Sequence, residues 1–167
     1  PDQKIGYTMI NARAETVAEK SSFRTAFERN RCLVIANGFY EWKKTGPTKQ
    51  PYYIHLRSGE PIAFAGLYSI WNSPEGESIR TSTIITTNAN DLVKPLHDRM
   101  PVILPPDAVE TWLTAPPEEA LTVLKPYAGP VNLRPVGRYV SNVNNEGPEC
   151  LDDAEPTWDT PRQQSLL

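Results

Sequence analysis

Three short clusters in the sequence contain the residue types that acid–base chemistry and phosphate binding require. The clusters are Asn11-Ala12-Arg13-Ala14-Glu15, Gly38-Phe39-Tyr40-Glu41-Trp42 and Pro95-Leu96-His97-Asp98-Arg99-Met100-Pro101. The side chain of Asn11 can orient an amine or a hydroxyl, because a carboxamide both donates and accepts hydrogen bonds. Arg13 can hold a phosphate through its planar fork of donors. The alternative is that Asn11 caps a helix and Arg13 pairs with a neighbouring glutamate.

Glu41 lies among aromatic residues in a segment that we predict to be a strand. Alternation along a strand places Phe39 and Glu41 on one face, and Tyr40 and Trp42 on the other. Loss of water around a carboxyl raises its pKa toward the range that is useful for general acid–base catalysis. The alternative is an exposed glutamate on an edge strand.

His97 lies between two prolines that stiffen the backbone. Histidine is the side chain that titrates near neutral pH without help from its surroundings. Asp98 could orient or charge the imidazole, and Arg99 offers a second phosphate fork. A capping or packing role for His97 is the alternative. We expect the other histidine, His55, to be a surface or structural residue in a strand.

The sequence does not contain an activated nucleophile of a known type. It has no Gly-x-Ser-x-Gly motif, no cysteine–histidine pair at a recognisable spacing, no metal-ligand spacing and no glycine-rich phosphate loop. We expect Cys32 and Cys150 to be free thiols in a reducing cytosol. The residues therefore predict an acid–base site without metal or cofactor, whose reactive group is still to be found. No apolar run approaches the roughly 18 residues that span a membrane.

Short strands and short helices must position these clusters, since 17 prolines interrupt the chain. This pattern predicts an α+β domain in which tight turns favour antiparallel pairing. We expect Ser21 or Ser22 to cap the first helix, and 43–50 to be a polar loop. Strands are expected at 32–36, 39–42, 52–56, 62–71, 82–87, 102–104 and 136–140, and helices at 21–31, 90–96, 107–113 and 117–124.

The distribution of charge is uneven although the net charge is only −3. Residues 1–57 carry a net charge of +5, residues 58–100 carry −2 and residues 101–167 carry −6. A basic first third could present a face that binds nucleic acid, and the alternative is ordinary solvated charge. The length suits one domain, which we place at 1–150, followed by a tail at 151–167.

Five segments that occur in order resemble the SRAP family, the SOS response-associated peptidase-like proteins. Together they cover most of residues 5–145. The segments are Ile10 to Thr16, Arg31 to Lys43, Phe64-Ala65-Gly66-Leu67, Thr83-Ile84-Ile85-Thr86-Thr87, and His97 to Leu104. The resemblance implies an α+β fold with a mixed, mainly antiparallel, barrel-like core.

The resemblance also implies a function, which is to capture abasic sites in single-stranded DNA. In the family, an N-terminal cysteine attacks the ring-opened sugar through its α-amine, and its thiolate then closes a thiazolidine. The result is a DNA–protein crosslink, formed by an enzyme of lyase or hydrolase type. The family name reflects a proposed peptidase activity, which could remove the residues before that cysteine.

The family's catalytic residues match three positions of this sequence. Asn11 resembles the asparagine that positions the cysteine. Glu41 resembles the glutamate that handles protons, and His97 resembles the histidine that assists Schiff-base chemistry and reversal of the crosslink. Aldehyde capture needs a neutral amine and then an acid that expels water, which agrees with these residue types.

The family's DNA contacts match Arg13 and Arg99, with Thr86 as a weaker candidate. The implied partner is single-stranded DNA that contains abasic sites, with no membrane and no metal. We expect a monomer in the bacterial cytoplasm that joins the nucleoid after DNA damage. The alternatives are a non-catalytic module that binds single-stranded DNA and a cysteine-type peptidase that acts on protein.

The sequence begins at Pro1, and the family's opening Met-Cys-Gly-Arg segment is not part of it. We expect the natural protein to have this segment and the strands around it, several tens of residues in all. Neither Cys32 nor Cys150 can replace the N-terminal cysteine, because neither has a free α-amine. We therefore expect residues 1–167 alone to bind DNA weakly and not to form the crosslink.

Overall fold

Two open β-sheets and three α-helices form the fold in a computed structural model that describes residues 9–73 and 76–154. The helices are α1 (Ser21–Arg29), α2 (Pro106–Thr114) and α3 (Pro117–Thr122). The first sheet contains β1 (Asn11–Arg13), β2 (Arg31–Ala36), β5 (Ile62–Asn72), β6 (Ser78–Asn88) and β7 (Arg99–Pro101). The second sheet contains β3 (Phe39–Thr45), β4 (Thr48–Leu56) and β8 (Val131–Pro135).

The strand order of the first sheet is β1-β6-β5-β2, and β7 also pairs with β6. The short strand β1 runs parallel to β6, whereas every other pair of named strands is antiparallel. The chain after β7 runs between β6 and β5: the Val102 N–H donates to the Ile85 carbonyl at 2.8 Å, and the Val102 carbonyl accepts from the Ala65 N–H at 3.0 Å. Because β7 pairs with the last residues of β6, the segment that contains His97, directly before β7, lies at the end of β6.

Two hydrophobic clusters hold the layers together. One lies between the first sheet and the helices, and the other lies between the two sheets. The first includes Val17, Phe27, Ile85, Val102 and Trp112. The second includes Ile54, Ile62, Phe64, Ile103 and Val131. Because strand residues alternate between faces, the first sheet contributes to both clusters and is covered on both sides over its central part.

Arg31, the first residue of β2, binds the ends of two helices. Its Nε donates to the Trp112 carbonyl at 2.6 Å, and its guanidinium also donates to the carbonyls of Phe27 (3.0 Å) and Ala115. The last carbonyls of a helix have no partner within the helix, so a cation at this point satisfies them. The contact fixes α1 and α2 against the sheet.

The structure confirms the α+β class and the mainly antiparallel pairing. The helices expected at 21–31, 107–113 and 117–124 are present as α1, α2 and α3. The expected barrel-like closure is not seen among the described residues, where both sheets are open. The tail expected at 151–167 falls mostly on 155–167, which lie outside the described residues, as do residues 1–8 and 74–75.

The polar loop expected at 43–50 is instead a β-hairpin. Strand β3 continues to Thr45 and β4 begins at Thr48, so only Gly46 and Pro47 lie between them. Gly46 has φ of +58°, which a glycine adopts without strain. Residues 43–49 are exposed on both strands of the hairpin, so no alternation of buried and exposed positions marks it in the sequence.

Several other expectations about single elements were also wrong. The segment 90–96 forms hydrogen-bonded turns and not a helix, since Pro95 lacks the N–H that a helix needs. At 102–104, where a strand was expected, only an isolated β-bridge from Ile103 to Phe64 is present, and the strand itself lies at Arg99–Pro101. The last strand lies at Val131–Pro135, where it pairs with β4, and not at 136–140. Lys20 and not Ser21 or Ser22 occupies the N-cap of α1, without a side-chain hydrogen bond.

Candidate active site

Glu41 and His97 lie 56 positions apart in sequence and meet in the fold. Glu41 projects from β3, an edge strand of the second sheet, and His97 lies two residues before β7 of the first sheet. The His97 Nδ1 is 4.0 Å from the Glu41 Oε1. The side chain of Glu41 is only 20% exposed, whereas that of His97 is 48% exposed. The alternative of a fully exposed edge glutamate is therefore wrong.

The surroundings of Glu41 favour its protonated form. Burial raises the pKa of the Glu41 carboxyl and is the largest influence on it. The nearby His97 and the backbone N–H of Trp42 lower this pKa, and Asp98 raises it, but the net direction is upward. A carboxyl in this state can deliver a proton closer to neutral pH than an exposed glutamate can.

The imidazole of His97 is held by the backbone that follows it. The backbone N–H of Arg99 donates to the His97 Nδ1 at 3.1 Å. The Arg99 carbonyl oxygen lies 3.2 Å from the same Nδ1, so Nδ1 accepts from the N–H in one tautomer and donates to the carbonyl in the other. Asp98, which was expected to orient the ring, has its Oδ1 3.4 Å from Nδ1 and a side chain that is 88% exposed.

The guanidinium of Arg99 is bound by protein groups on two sides. Its Nη1 and Nη2 donate to the two carboxylate oxygens of Glu15 at 2.7 and 2.9 Å. Nη1 also donates to the Asn88 Oδ1 at 3.0 Å, and Nη2 to the Thr86 carbonyl at 2.7 Å. Arg99 lowers the pKa of the Glu15 carboxyl through these hydrogen bonds. The phosphate fork that the sequence suggested therefore holds a carboxylate in this structure.

Asn11 and Arg13 lie on β1 with both side chains exposed, while Ala12 between them is buried. Both residues therefore share the face of β1 that points away from the helix-side core. The helix-cap alternative for Asn11 is wrong, because the residue is in a strand and the next turn has no side-chain cap. The neighbouring Glu15 pairs with Arg99 and not with Arg13.

Thr86 lies beside Arg13 in the parallel pairing of β1 and β6. Its hydroxyl is 3.3 Å from the Ala12 carbonyl, to which it donates, and 3.4 Å from an Arg99 nitrogen. Among the described residues, no hydrogen bond or ion pair connects this group or Asn11 directly with Glu41. The structure thus places two of the three predicted catalytic residues in contact and the third on a strand of the first sheet.

Sequence reasoning missed a row of aromatic rings on the second sheet. Trp42, Tyr40, Tyr53 and His55 follow one another with ring centroids 6.5, 5.4 and 5.3 Å apart. His55 is therefore structural, as expected, because its ring stacks on Tyr53. Strand alternation in β3 indicates from sequence that Tyr40 and Trp42 share a face. Their ring partners on β4 could not be predicted in this way, because they depend on the register of the hairpin.

Both cysteines are free thiols. Burial raises the pKa of the Cys32 thiol, which makes it a poor nucleophile. The Cys150 Sγ donates to the Asn145 carbonyl at 3.7 Å. In the part of the chain that the structure describes, no three residues of the types His, Cys, Asp and Glu form a group that could hold a metal ion. No helix in that part is long and apolar enough to cross a membrane.

Comparison with known proteins gives a consistent result. The family model for SOS response associated peptidase (SRAP) matches residues 1–143. The abasic site processing protein YoqW of Bacillus subtilis is 46% identical over 156 residues, which cover 90% of this chain and 70% of that protein. The abasic site processing protein HMCES of Gallus gallus is 36% identical over 172 residues, which cover 89% of this chain and about half, 51%, of that protein. A crystal structure of a protein from Bacteroides thetaiotaomicron superposes with a TM-score of 0.81 at 32% identity, covering 89% of this chain and 67% of that one.

The raised pKa of Glu41 makes a prediction about stability. The Glu41 carboxyl has a higher pKa in the folded chain than in the unfolded chain. Ionisation of Glu41 therefore begins to lower the free energy of unfolding as the pH rises above the unfolded-state pKa, and the loss reaches its full size above the folded-state pKa. Glu41→Gln should therefore raise the Tm near neutral pH. The gain in Tm should vanish at acidic pH, where Glu41 is protonated in both the folded and the unfolded wild type. The exposed Glu60→Gln is the control and should show neither effect. A lower Tm for Glu41→Gln near neutral pH would mean that attraction to His97 outweighs the loss of hydration.

Proposed function

The chain belongs to the SRAP family, and we propose that the protein that contains it captures abasic sites in single-stranded DNA through a covalent bond. The proposed nucleophile is an N-terminal cysteine that precedes Pro1 in the natural protein, as the resemblance to the family implies. Its α-amine adds to the C1′ aldehyde of the ring-opened sugar, and loss of water leaves an imine. The thiol sulfur then bonds to the same carbon while its proton passes to the nitrogen, which gives a thiazolidine.

The observation that carries this proposal is the contact between Glu41 and His97. Formation of the imine and closure of the thiazolidine both take place at C1′ of the sugar, and each step needs a proton donor and a proton acceptor close to that carbon. Glu41 has a pKa raised by burial, which suits it to protonate the departing oxygen as water leaves. The imidazole 4.0 Å away can take the proton that the amine loses. The same pair could return these protons when the crosslink reverses.

Asn11 and Arg13 are the proposed contacts to the cysteine and to the DNA backbone. They project from the same exposed face of β1, about 7 Å apart as expected for residues two positions apart in a strand. In our proposal, the carboxamide of Asn11 orients the cysteine amine, and Arg13 binds a phosphate that flanks the lesion. Thr86 lies beside Arg13 and is a weaker candidate for the same phosphate.

Arg99 is the proposed phosphate contact for which the geometry offers least support. Its side chain is 15% exposed, and Glu15 already occupies both terminal nitrogens. A phosphate could bind there only after displacing this carboxylate. The proposed grip on DNA therefore relies on Arg13 in the first place.

The proposal extends to the cell and to the processing of the chain. Action on chromosomal DNA would place the protein in the cytoplasm, at the nucleoid of a bacterial cell, with one chain as the functional unit. The description of the matching family includes peptidase activity. We include in the proposal the removal of any residues that precede the cysteine, since the α-amine must be free before it can attack.

A crosslinking assay on the natural full-length protein tests the proposed reaction. The protein is incubated with single-stranded DNA that carries one abasic site, and a band that survives denaturation reports the covalent product. We expect Glu41→Gln to slow its formation at least about a hundredfold, because general acid–base catalysis contributes on this scale. Glu60→Gln should form it at the wild-type rate. Equal rates for Glu41→Gln and wild type would remove Glu41 from the mechanism, and no band with the wild type would overturn the proposed function.

The salt dependence of DNA binding tests the role of Arg13. Arg13→Ala should weaken binding to abasic single-stranded DNA and lower the slope of log K against log salt by about 0.7, as expected for one phosphate on a single strand. Arg24→Ala, an exposed substitution on α1, should leave the slope unchanged. If Arg13→Ala also leaves it unchanged, Arg13 does not contact a phosphate.

A further inference from the structure

The ion pair between Glu15 and Arg99 joins two of the sequence clusters that lie on either side of β6. Two parallel hydrogen bonds of 2.7 and 2.9 Å connect the carboxylate and the guanidinium. This two-pronged geometry fixes the plane of the guanidinium as well as its position. Glu15 is 45% exposed, whereas Arg99 is 15% exposed, so the arginine is the buried member of the pair.

The remaining donors of Arg99 are turned toward protein groups. The Asn88 side chain and the Thr86 carbonyl accept hydrogen bonds from Nη1 and Nη2. Nε is buried, and no partner for it is found among the described residues. A phosphate that approached from solvent would therefore meet few donors unless Glu15 moved away. In this DNA-free structure Glu15, Asn88 and Thr86 anchor the guanidinium.

The backbone of the same arginine contacts the imidazole. The Arg99 N–H donates to the His97 Nδ1 at 3.1 Å, and the register of β6 and β7 pairs Arg99 with Asn88. The Arg99 side chain therefore connects the start of β7 to β6 and to Glu15, which lies two residues after β1. The Arg99 peptide that contacts His97 is thus held by the pairing of β6 and β7 and by the anchor of its side chain.

We propose that Glu15 is a positioning residue, which acts through Arg99 to hold the imidazole of His97 beside Glu41. Without the carboxylate, Arg99 would be a largely buried cation with only neutral acceptors. Such a cation moves toward solvent or toward another anion, because an unpaired buried charge is costly. Movement of Arg99 would then shift the N–H that holds Nδ1. The catalytic meaning of this role rests on the proposed function, but the positioning itself does not.

A different role for Glu15 predicts the opposite behaviour. The carboxylate could occupy the fork of Arg99 until a DNA phosphate displaces it. Removal of its charge would then release Arg99 to the phosphate, so DNA would bind more tightly and with a steeper salt dependence. His97 would be unaffected in the DNA-free protein. The substitution Glu15→Gln distinguishes these two roles, because glutamine keeps the size of the side chain and loses its charge.

The test uses the natural full-length protein and measures His97 directly. The 15N chemical shifts of the imidazole report which ring nitrogen carries the proton. In DNA-free Glu15→Gln we expect these shifts to differ from those of the wild type, because the contact between Nδ1 and the Arg99 backbone changes. We also expect crosslinking to slow about tenfold or more, since small misplacement of a catalytic group costs this much. The salt slope of DNA binding should stay unchanged. Glu19→Gln removes an equal charge from an exposed position and should change none of these readouts.

A second substitution guards against simple loss of folding. Asn88→Asp places a carboxylate where the Asn88 Oδ1 already lies 3.0 Å from Arg99 Nη1. Added to Glu15→Gln, it should restore both the His97 shifts and the crosslinking rate. Unchanged His97 shifts in Glu15→Gln, or tighter and more salt-sensitive DNA binding, would overturn the positioning role. If the wild type forms no crosslink, the proposed function fails, and the His97 shifts of the DNA-free protein still decide the role of Glu15.

Discussion

The site depends on one contact, in which the largely buried carboxyl of Glu41 lies 4.0 Å from the imidazole of His97. Glu41 belongs to the second sheet, and His97 lies in the segment that leads into a strand of the first sheet. Loss of hydration raises the pKa of Glu41, while the nearby His97 lowers it, so a small displacement of the imidazole changes the balance. The two strands concerned, β3 for Glu41 and β7 directly after the His97 segment, lie in different sheets. The fold must therefore fix the relative position of its two sheets and the conformation of the short segment before β7.

Four features of the fold meet this requirement. The cluster that contains Ile54 and Phe64 packs the second sheet against the first. The chain after β7 runs between β6 and β5, and the Ala89 N–H donates to the Asp98 carbonyl at 2.9 Å, so backbone hydrogen bonds hold the segment directly after His97. The His97 N–H also donates to the Val93 carbonyl at 3.1 Å, which closes the preceding turn. The anchor of Arg99 on Glu15 completes the set at the other end of that segment.

Local sequence revealed the types of residue in the site better than it revealed their partners. The aromatic neighbours of Glu41 predicted partial burial, and the structure bears this out. The pairing of Glu15 with Arg99 joins residues 84 positions apart, and no local pattern encodes such a distance. Strand β1 has three residues and pairs in parallel, so it is too short for alternation to reveal. The residues alone gave an acid–base site without a nucleophile, and only the likeness to a family suggested abasic DNA.

The protonation state of Glu41 in the natural full-length protein is the most direct test of this account. Labelling with 13C at the glutamate carboxyl allows the titration of Glu41 to be followed by NMR and assigned by its absence in Glu41→Gln. The account predicts a pKa above that of an exposed glutamate, and a further rise in His97→Gln, because the imidazole stabilises the carboxylate. A Glu41 pKa at or below the ordinary glutamate value would contradict it, since the carboxyl would then be ionised and hydrated and could not serve as the acid.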